Sequence, residues 1–239
     1  MPHQGQIYPE NYPEYTDWSP KVTLAPQNGS MAGHDHPLFT LVYRAVAGAG
    51  EHTGLGELRR RALAPASGRL LILGLGPGHD LDHLPEAVKG VIAVEPSASM
   101  RSSSRPRVQA ARARGVEVEV IDAVGEALPI PDDSVDAVLL AYVMCTVSDV
   151  EATLVEVRRV LKPGGVVCVM EHVRAREGTW LRRSQRVVAP VWPRLAGGCH
   201  ADRDTRAALS RAGFDVSELR DITITNLPPV APTLVGIAR

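Results

Sequence analysis

The chain has 239 residues, with 26 Lys and Arg against 27 Asp and Glu, and a formal charge of −1 at pH 7. This balance argues against a general nucleic-acid binder, which needs a basic face to displace counterions from phosphates. The longest mostly apolar run, residues 137–147, is far short of the ~20 residues of a membrane-spanning helix.

The start, Met1-Pro-His-Gln-Gly, shows neither the positive flank nor the apolar stretch of a signal peptide. Residues 1–36 carry Pro2, Pro9, Pro13, Pro20 and Pro26. Each proline removes an amide donor and turns its predecessor away from helix. Disordered segments are usually poor in aromatics, yet this one holds Tyr8, Tyr12, Tyr15 and Trp18. An arm packed on the main domain, with those rings as lid residues, is therefore expected. Two short helices follow at 37–48 and 54–64, separated by glycines. An N-terminal arm and helical lid over 1–67 would then precede one domain over 68–239.

From Gly68 the pattern alternates. Strands are expected at 69–73, 91–94, 116–121, 136–140 and 166–170. Between them come a helix at 80–88, an Arg-rich helix that Pro106 must break or kink, and a helix at 150–161. The last has Leu154, Val157, Val160 and Leu161 on one face and stops at Lys162-Pro-Gly-Gly. Continuous apolar strands alternating with helices predict an α/β fold with a doubly wound, mostly parallel sheet. At the end, residues 216–225 and 233–239 flank Asn226-Leu-Pro-Pro and read as an antiparallel hairpin on one sheet edge.

The sharpest local feature is Leu70-Leu-Ile-Leu-Gly74-Leu-Gly76-Pro-Gly78-His79-Asp80. A strand runs into glycines, which allow close backbone approach, and then into a helix start with free amides. The dinucleotide fingerprint Gly-x-Gly-x-x-Gly needs a small residue at 79, where His79 stands. Glu95 lies 21 residues after Gly74, at the end of the second strand. A carboxylate there can accept hydrogen bonds from both hydroxyls of a ribose. Ser97 is placed to cap the next helix.

Four motifs, Gly74-x-Gly76-x-Gly78, Val94-Glu95-Pro96, Glu126–Asp136 and Arg159–Gly165, resemble in order and spacing those of class I S-adenosylmethionine-dependent methyltransferases. Val143-Met-Cys-Thr-Val147, Met170-Glu-His-Val173, Gly178-Thr-Trp180 and Gly198-Cys199 further resemble the thiol S-methyltransferase (methyltransferase-like) family. That family has a membrane-anchoring N-terminal segment, where this chain has a polar, aromatic arm. The resemblance implies a Rossmann-like, seven-stranded sheet and S-adenosyl-L-methionine as cofactor. It assigns cofactor binding to Gly74, Leu75, Gly76, Gly78, His79, Glu95, Pro96, Ala123, Val124, Gly125, Ala141 and Tyr142. Two positions depart from the usual acidic pattern: Ile72, two residues before the first glycine, and Val124, after the third strand.

Ligands in doubly wound sheets bind beyond the carboxyl ends of the strands, which here carry the glycine loop, Glu95, Ala123–Gly125, Ala141–Cys145 and Glu171–His172. Tyr142 and His172 are the candidate catalytic residues, His172 as a base for an acidic acceptor. Tyr142 is expected to line the methionine end. An equal alternative makes His172 a hydrogen-bonded histidine of the cap. Cys145, Cys168 and Cys199 are widely spaced without a Cys-x-x-Cys pair, so neither a disulfide framework nor a zinc site is expected. A reduced, cytoplasmic setting follows. Cys145 reads as a small buried hydrophobe, and His34-Asp-His36 as a polar loop.

Residues 174–200 read as a substrate cap with Trp180, Leu181, Val187, Val188 and Trp192 as apolar contacts. Arg182, Arg183, Arg186 and Arg194 form either a solvated face or, with those apolar residues, a contact to a lipid surface. The expected activity is methyl transfer to a small, hydrophobic acceptor, a thiol first. Its rivals are oxygen or nitrogen methylation of a natural product or quinone-like ring, a non-catalytic cofactor-binding module, and a nicotinamide-dependent oxidoreductase.

Overall fold

Strand β1 (Gly68–Leu73) shows why the sheet forms: Leu70, Leu71, Ile72 and Leu73 are all buried, so both of its faces must be covered. The computed structural model describes residues 54–224 and 228–239. The aromatic arm, the helix expected at 37–48 and His34-Asp-His36 lie outside the described residues. The other strands are β2 (Val88–Val94), β3 (Glu117–Ile121), β4 (Val135–Ala141), β5 (Leu161–His172), β6 (Arg220–Thr223) and β7 (Pro232–Ala238). They form one seven-stranded sheet in the order β3-β2-β1-β4-β5-β7-β6. The first five are parallel, and β7 runs antiparallel to both β5 and β6. The fold is the expected one, with its antiparallel hairpin on the edge.

Alternation along the strands divides the core in two. Leu71, Leu73, Val138, Leu140, Val167 and Val169 face helices α3 (Val150–Val160) and α6 (Thr205–Arg211) through Leu154, Val157 and Leu209. Leu70, Ile72, Val91, Ala93, Ala137 and Leu139 face α1 (Gly56–Leu63) and α2 (Ala98–Ala113) through Leu63, Val108 and Ala111. Between β5 and α6 lie the short helices α4 (Trp180–Val188) and α5 (Trp192–Leu195). No helix among the described residues is long and apolar enough to cross a membrane.

Three local expectations are corrected. The helix expected at 80–88 is only a 3-10 turn, His79–His83. Pro85 forces Leu84 into extended backbone (φ −61°, ψ 130°), and β2 then starts at Val88. Pro106 does not break α2, which runs on through it for 16 residues. Both Pro106 and Ser102, whose carbonyl loses its donor, are exposed, so that carbonyl is open to water. The strand expected at 216–225 shrinks to Arg220–Thr223, because Leu219 N–H bonds Val216 O (3.1 Å) and curls the chain before it. Ser97 caps α2 as expected, accepting from Met100 N–H at 3.2 Å.

One surface network holds the segment before β4 on α3. The Glu156 carboxylate accepts from Leu128 N–H (2.7 Å) and from Arg159, whose guanidinium also reaches Ile130 O and Asp132. Arg159 holds the Glu156 carboxyl below the usual carboxylate range. A lowered carboxyl contributes stability above the unfolded pKa, near ~4.3, and loses it as pH falls through the lower folded value. Glu156→Ala is thus expected to cost about 1–1.5 kcal/mol in urea unfolding at pH 7 and clearly less at pH 3. An equal loss at both pH values contradicts the ionic origin of the contribution.

Candidate active site

At the end of β1 the backbone turns left-handed three times, at Gly74 (φ 72°), Gly76 (φ 54°) and Gly78 (φ 82°). A Cβ at Gly74 would stand 2.6 Å from Val143 Cγ2, so only glycine lets this loop pass under the turn after β4. A Cβ at Gly76 would meet no atom within 4 Å, because that face borders a cavity. The loop amides of Gly74 and Leu75 both bond to Val94 O, at 2.9 and 3.1 Å.

Glu95 is pinned at the same mouth. Its Oε2 accepts from Gly76 N–H (2.8 Å) and its Oε1 from Ser97 N–H (2.9 Å). Those amides fix the orientation of the carboxylate at the cavity mouth. Arg101 bonds the Glu95 carbonyl at 2.6 Å and steadies the corner from behind.

These groups open on a cavity of about 330 Å³, within the range of small-molecule sites. Every residue expected to bind cofactor lines it except Gly78. A Cβ at Gly78 would instead meet Ser104 at 3.2 Å, so that glycine serves the packing of the loop on α2. Ile72 is also absent from the wall; its side chain is fully buried in the core on the α1 and α2 side. Val124 is half-buried on the wall and offers only backbone and methyl groups.

Sequence reasoning missed a buried ion pair here. Arg59 on α1 bonds Asp80 beside the loop; the residues are 5% and 4% exposed, and both line the cavity. Nothing marked Arg59 in the run Arg59-Arg60-Arg61, where the other two pair with Glu57 on the surface.

The opposite wall comes from the ends of β4 and β5. Tyr142 has a left-handed backbone (φ 56°), and its amide bonds Met170 O at 2.9 Å. Its ring packs on His172, centroids 4.2 Å apart. The following turn is set by Glu171, which is fully buried and accepts from Val143 N–H (2.8 Å) and Met144 N–H (2.9 Å) through Oε1. Burial pushes the Glu171 carboxyl up to about 8, against the opposing effect of these amides.

His172 brings two sulfurs together. Its Nδ1 lies 4.0 Å from Cys145 Sγ and 3.9 Å from Cys199 Sγ. The neighbouring Cys145 and His172 hold the Cys199 thiol well below the usual thiol range, while the neighbouring Cys199 and burial push the Cys145 thiol well above it. Cys145 is buried as expected, yet it also lines the cavity. Cys168 stands apart in the core of β5, where burial alone pushes its thiol up to about 12.

The cap departs from its expected polarity. Arg182 is buried, pairing with Glu177 (2.9 Å) and Asp202 (3.6 Å), so it belongs to no solvated face. Gln185 beside it bonds Ala175 N–H and the carbonyls of Val173, Ala201 and Pro229. These polar anchors turn the helix so that Trp180 and Val187, read as apolar contacts of the cap, are 64% and 78% exposed and stand outside the cavity wall. Trp192 does pack inward, against the cluster of Cys145, Cys199 and Ala201.

Comparison with known proteins agrees with this geometry. Residues 71–169 match the profile of the family described as a methyltransferase domain. The chain is 31% identical over 184 residues to human thiol S-methyltransferase TMT1A, covering 77% of this chain and 75% of that protein. It is 33% identical over 172 residues to rat thiol S-methyltransferase TMT1B, covering 71% and 69%. A shorter match, 38% over 119 residues, is to the demethylmenaquinone methyltransferase of Thermus thermophilus, covering 47% of this chain and 53% of that protein. Among solved structures, the YcgJ protein of Bacillus subtilis has the same fold, with TM-score 0.56 at 24% identity over 72% of this chain and 71% of that one.

Proposed function

The chain belongs to the S-adenosylmethionine-dependent methyltransferases, as a relative of the thiol S-methyltransferases, and we propose that it methylates a small hydrophobic thiol in this cavity. The observation that carries the acceptor class is the wall opposite Glu95, which is built from Cys145, His172 and Cys199.

The residues present fit the cofactor. Gly76 leaves open space where a side chain would stand, and Glu95, oriented by two amides on the cavity wall, would accept from the ribose hydroxyls. Ala123, Val124 and Gly125, on the cavity wall, would offer small apolar groups and backbone to the adenine. S-adenosylmethionine, when bound, supplies a methyl group on a sulfonium sulfur that leaves by in-line displacement. The chain contributes positioning and exclusion of water, which account for much of the acceleration of such a step. A thiol, with a pKa near ~8.5, is already partly ionised at neutral pH. It therefore needs a wall that favours the thiolate more than it needs a strong base.

A second reading, methylation of a quinone-like ring, draws on the likeness to the Thermus thermophilus enzyme. The test runs in two stages. In calorimetry the chain should bind S-adenosylmethionine and its demethylated product, and not NAD. In a labelled-methyl assay over thiols, phenols, amines and carboxylates, the label should appear in thioethers. Label only on a phenol or a ring carbon would overturn the thiol reading.

A further inference from the structure

Cys145 lies in the turn after β4, His172 ends β5, and Cys199 follows α5; each is 27 residues from the next. Their ligand atoms, two Sγ and Nδ1, all lie within 4.8 Å of one another. Zinc bonded tetrahedrally at about 2.3 Å to sulfur and about 2.0–2.1 Å to nitrogen sets sulfur and nitrogen about 3.6 Å apart, and two sulfurs about 3.8 Å apart. The sulfur to nitrogen separations here, 4.0 and 3.9 Å, exceed that by only a few tenths of an ångström.

The scaffold around the three is fixed. His200 N–H bonds Cys145 O at 2.7 Å and ties the two cysteine segments together. Stacking on Tyr142 sets the imidazole plane, and Glu171 holds the turn that carries Cys145. All three side chains also line the cavity. Three protein ligands beside an open cavity are the arrangement of a zinc site with a free fourth position, as distinct from a closed structural site.

We propose that Cys145, His172 and Cys199 bind one zinc ion, and that its fourth position takes the sulfur of the acceptor thiol. The second half rests on the thiol reading above; the metal site itself does not. A thiol loses its proton to solvent on coordination, since a zinc-bound thiol is deprotonated outright. Zinc with two cysteine thiolates and a neutral imidazole carries no net charge, so adding the acceptor thiolate gives an anionic centre, suited to a cationic methyl donor. A lone pair on that sulfur forms the new bond to the methyl carbon. The bond from carbon to the sulfonium sulfur breaks and its electron pair stays on that sulfur. The products are a neutral methyl thioether, a weak ligand that leaves, and S-adenosylhomocysteine. His172 Nδ1 then serves the metal and carries no proton in the reaction.

The test uses the full chain, reduced and stripped of metal with a chelator, and Co²⁺ as the probe. One equivalent of Co²⁺ should give the intense visible bands of a tetrahedral site with sulfur-to-cobalt charge transfer, and Zn²⁺ should abolish them. Cys145→Ser and Cys199→Ser should each weaken Zn²⁺ binding by about 100-fold or more, while Cys168→Ala leaves it unchanged. Adding benzenethiol to the Co²⁺-loaded chain should raise the charge-transfer intensity, and metal-stripped chain should lose thiol methylation until Zn²⁺ returns. A reduced chain that binds S-adenosylmethionine but takes up no Co²⁺ or Zn²⁺ would overturn the metal site and leave the proposed function intact. A cobalt spectrum blind to benzenethiol, or full thiol methylation without metal, overturns the role of the fourth position. Metal uptake with no methyl transfer to any thiol defeats the thiol reading while the metal site stands.

Discussion

Asp80→Ala is expected to lower the unfolding free energy by about 3–5 kcal/mol, because it leaves the Arg59 guanidinium buried beside the glycine loop without its carboxylate. The size of the loss comes from the desolvated charge left behind, more than from the attraction removed. Replacing both partners with apolar residues of similar size, Arg59→Met with Asp80→Leu, should therefore cost much less than the single change. Urea unfolding of wild type, the single variant and the double variant measures this directly. A single-variant loss under about 1 kcal/mol would show that the pair is open to water.

Glu95→Ala should weaken S-adenosylmethionine binding by about 1.5–3 kcal/mol, roughly 10- to 150-fold. Hydrogen bonds to a charged group are the stronger kind, and Glu95 is the carboxylate at the end of β2 that is oriented for them. The variant also frees the amides of Gly76 and Ser97, so the loop loses its anchor along with the proposed ribose contact. Glu95→Gln separates the two effects. It keeps one oxygen acceptor but sets an amide NH₂ against a backbone N–H. Affinity unchanged in calorimetry, with the fold intact by circular dichroism, would mean that the ribose is held by other groups.

What the sequence revealed depended on how local each signal was. Leu70–Leu73 running into Gly74, Gly76 and Gly78 is contiguous, so both the central strand and the ligand loop could be read from it. Glu95 could be placed because the unit between β1 and β2 has a nearly fixed length. Ile72 looked like a missing acidic group, but alternation along β1 sends its side chain into the core, where a carboxylate would be costly. Pro106 and Pro85 show the limit of propensity. The same residue type was tolerated where water could replace the lost partner, and ended a helix where the preceding residue had to extend.

The chemistry opposite Glu95 was the least legible part. Cys145, His172 and Cys199 each fell in a separate family-like segment, but nothing in their wide spacing joined them, and the pairing of β4 with β5 and the return of the cap loop bring them together. Arg182 and Trp180 exchanged their expected places for a similar reason. Asp202 and Glu177, remote from any helix-period pattern, supply the partners that make burial of Arg182 tolerable. Pairings across the chain decided these positions, and hydrophobic periodicity has no access to them.

The most direct measurement is methyl transfer from labelled S-adenosylmethionine to a matched pair of acceptors, benzenethiol and phenol, under identical conditions. Methyl phenyl sulfide as the labelled product, formed with one equivalent of S-adenosylhomocysteine and in large excess over methyl phenyl ether, is the expected result. Equal or preferred labelling of the phenol, or no transfer to benzenethiol by a chain that binds the cofactor, would contradict thiol methylation in this cavity.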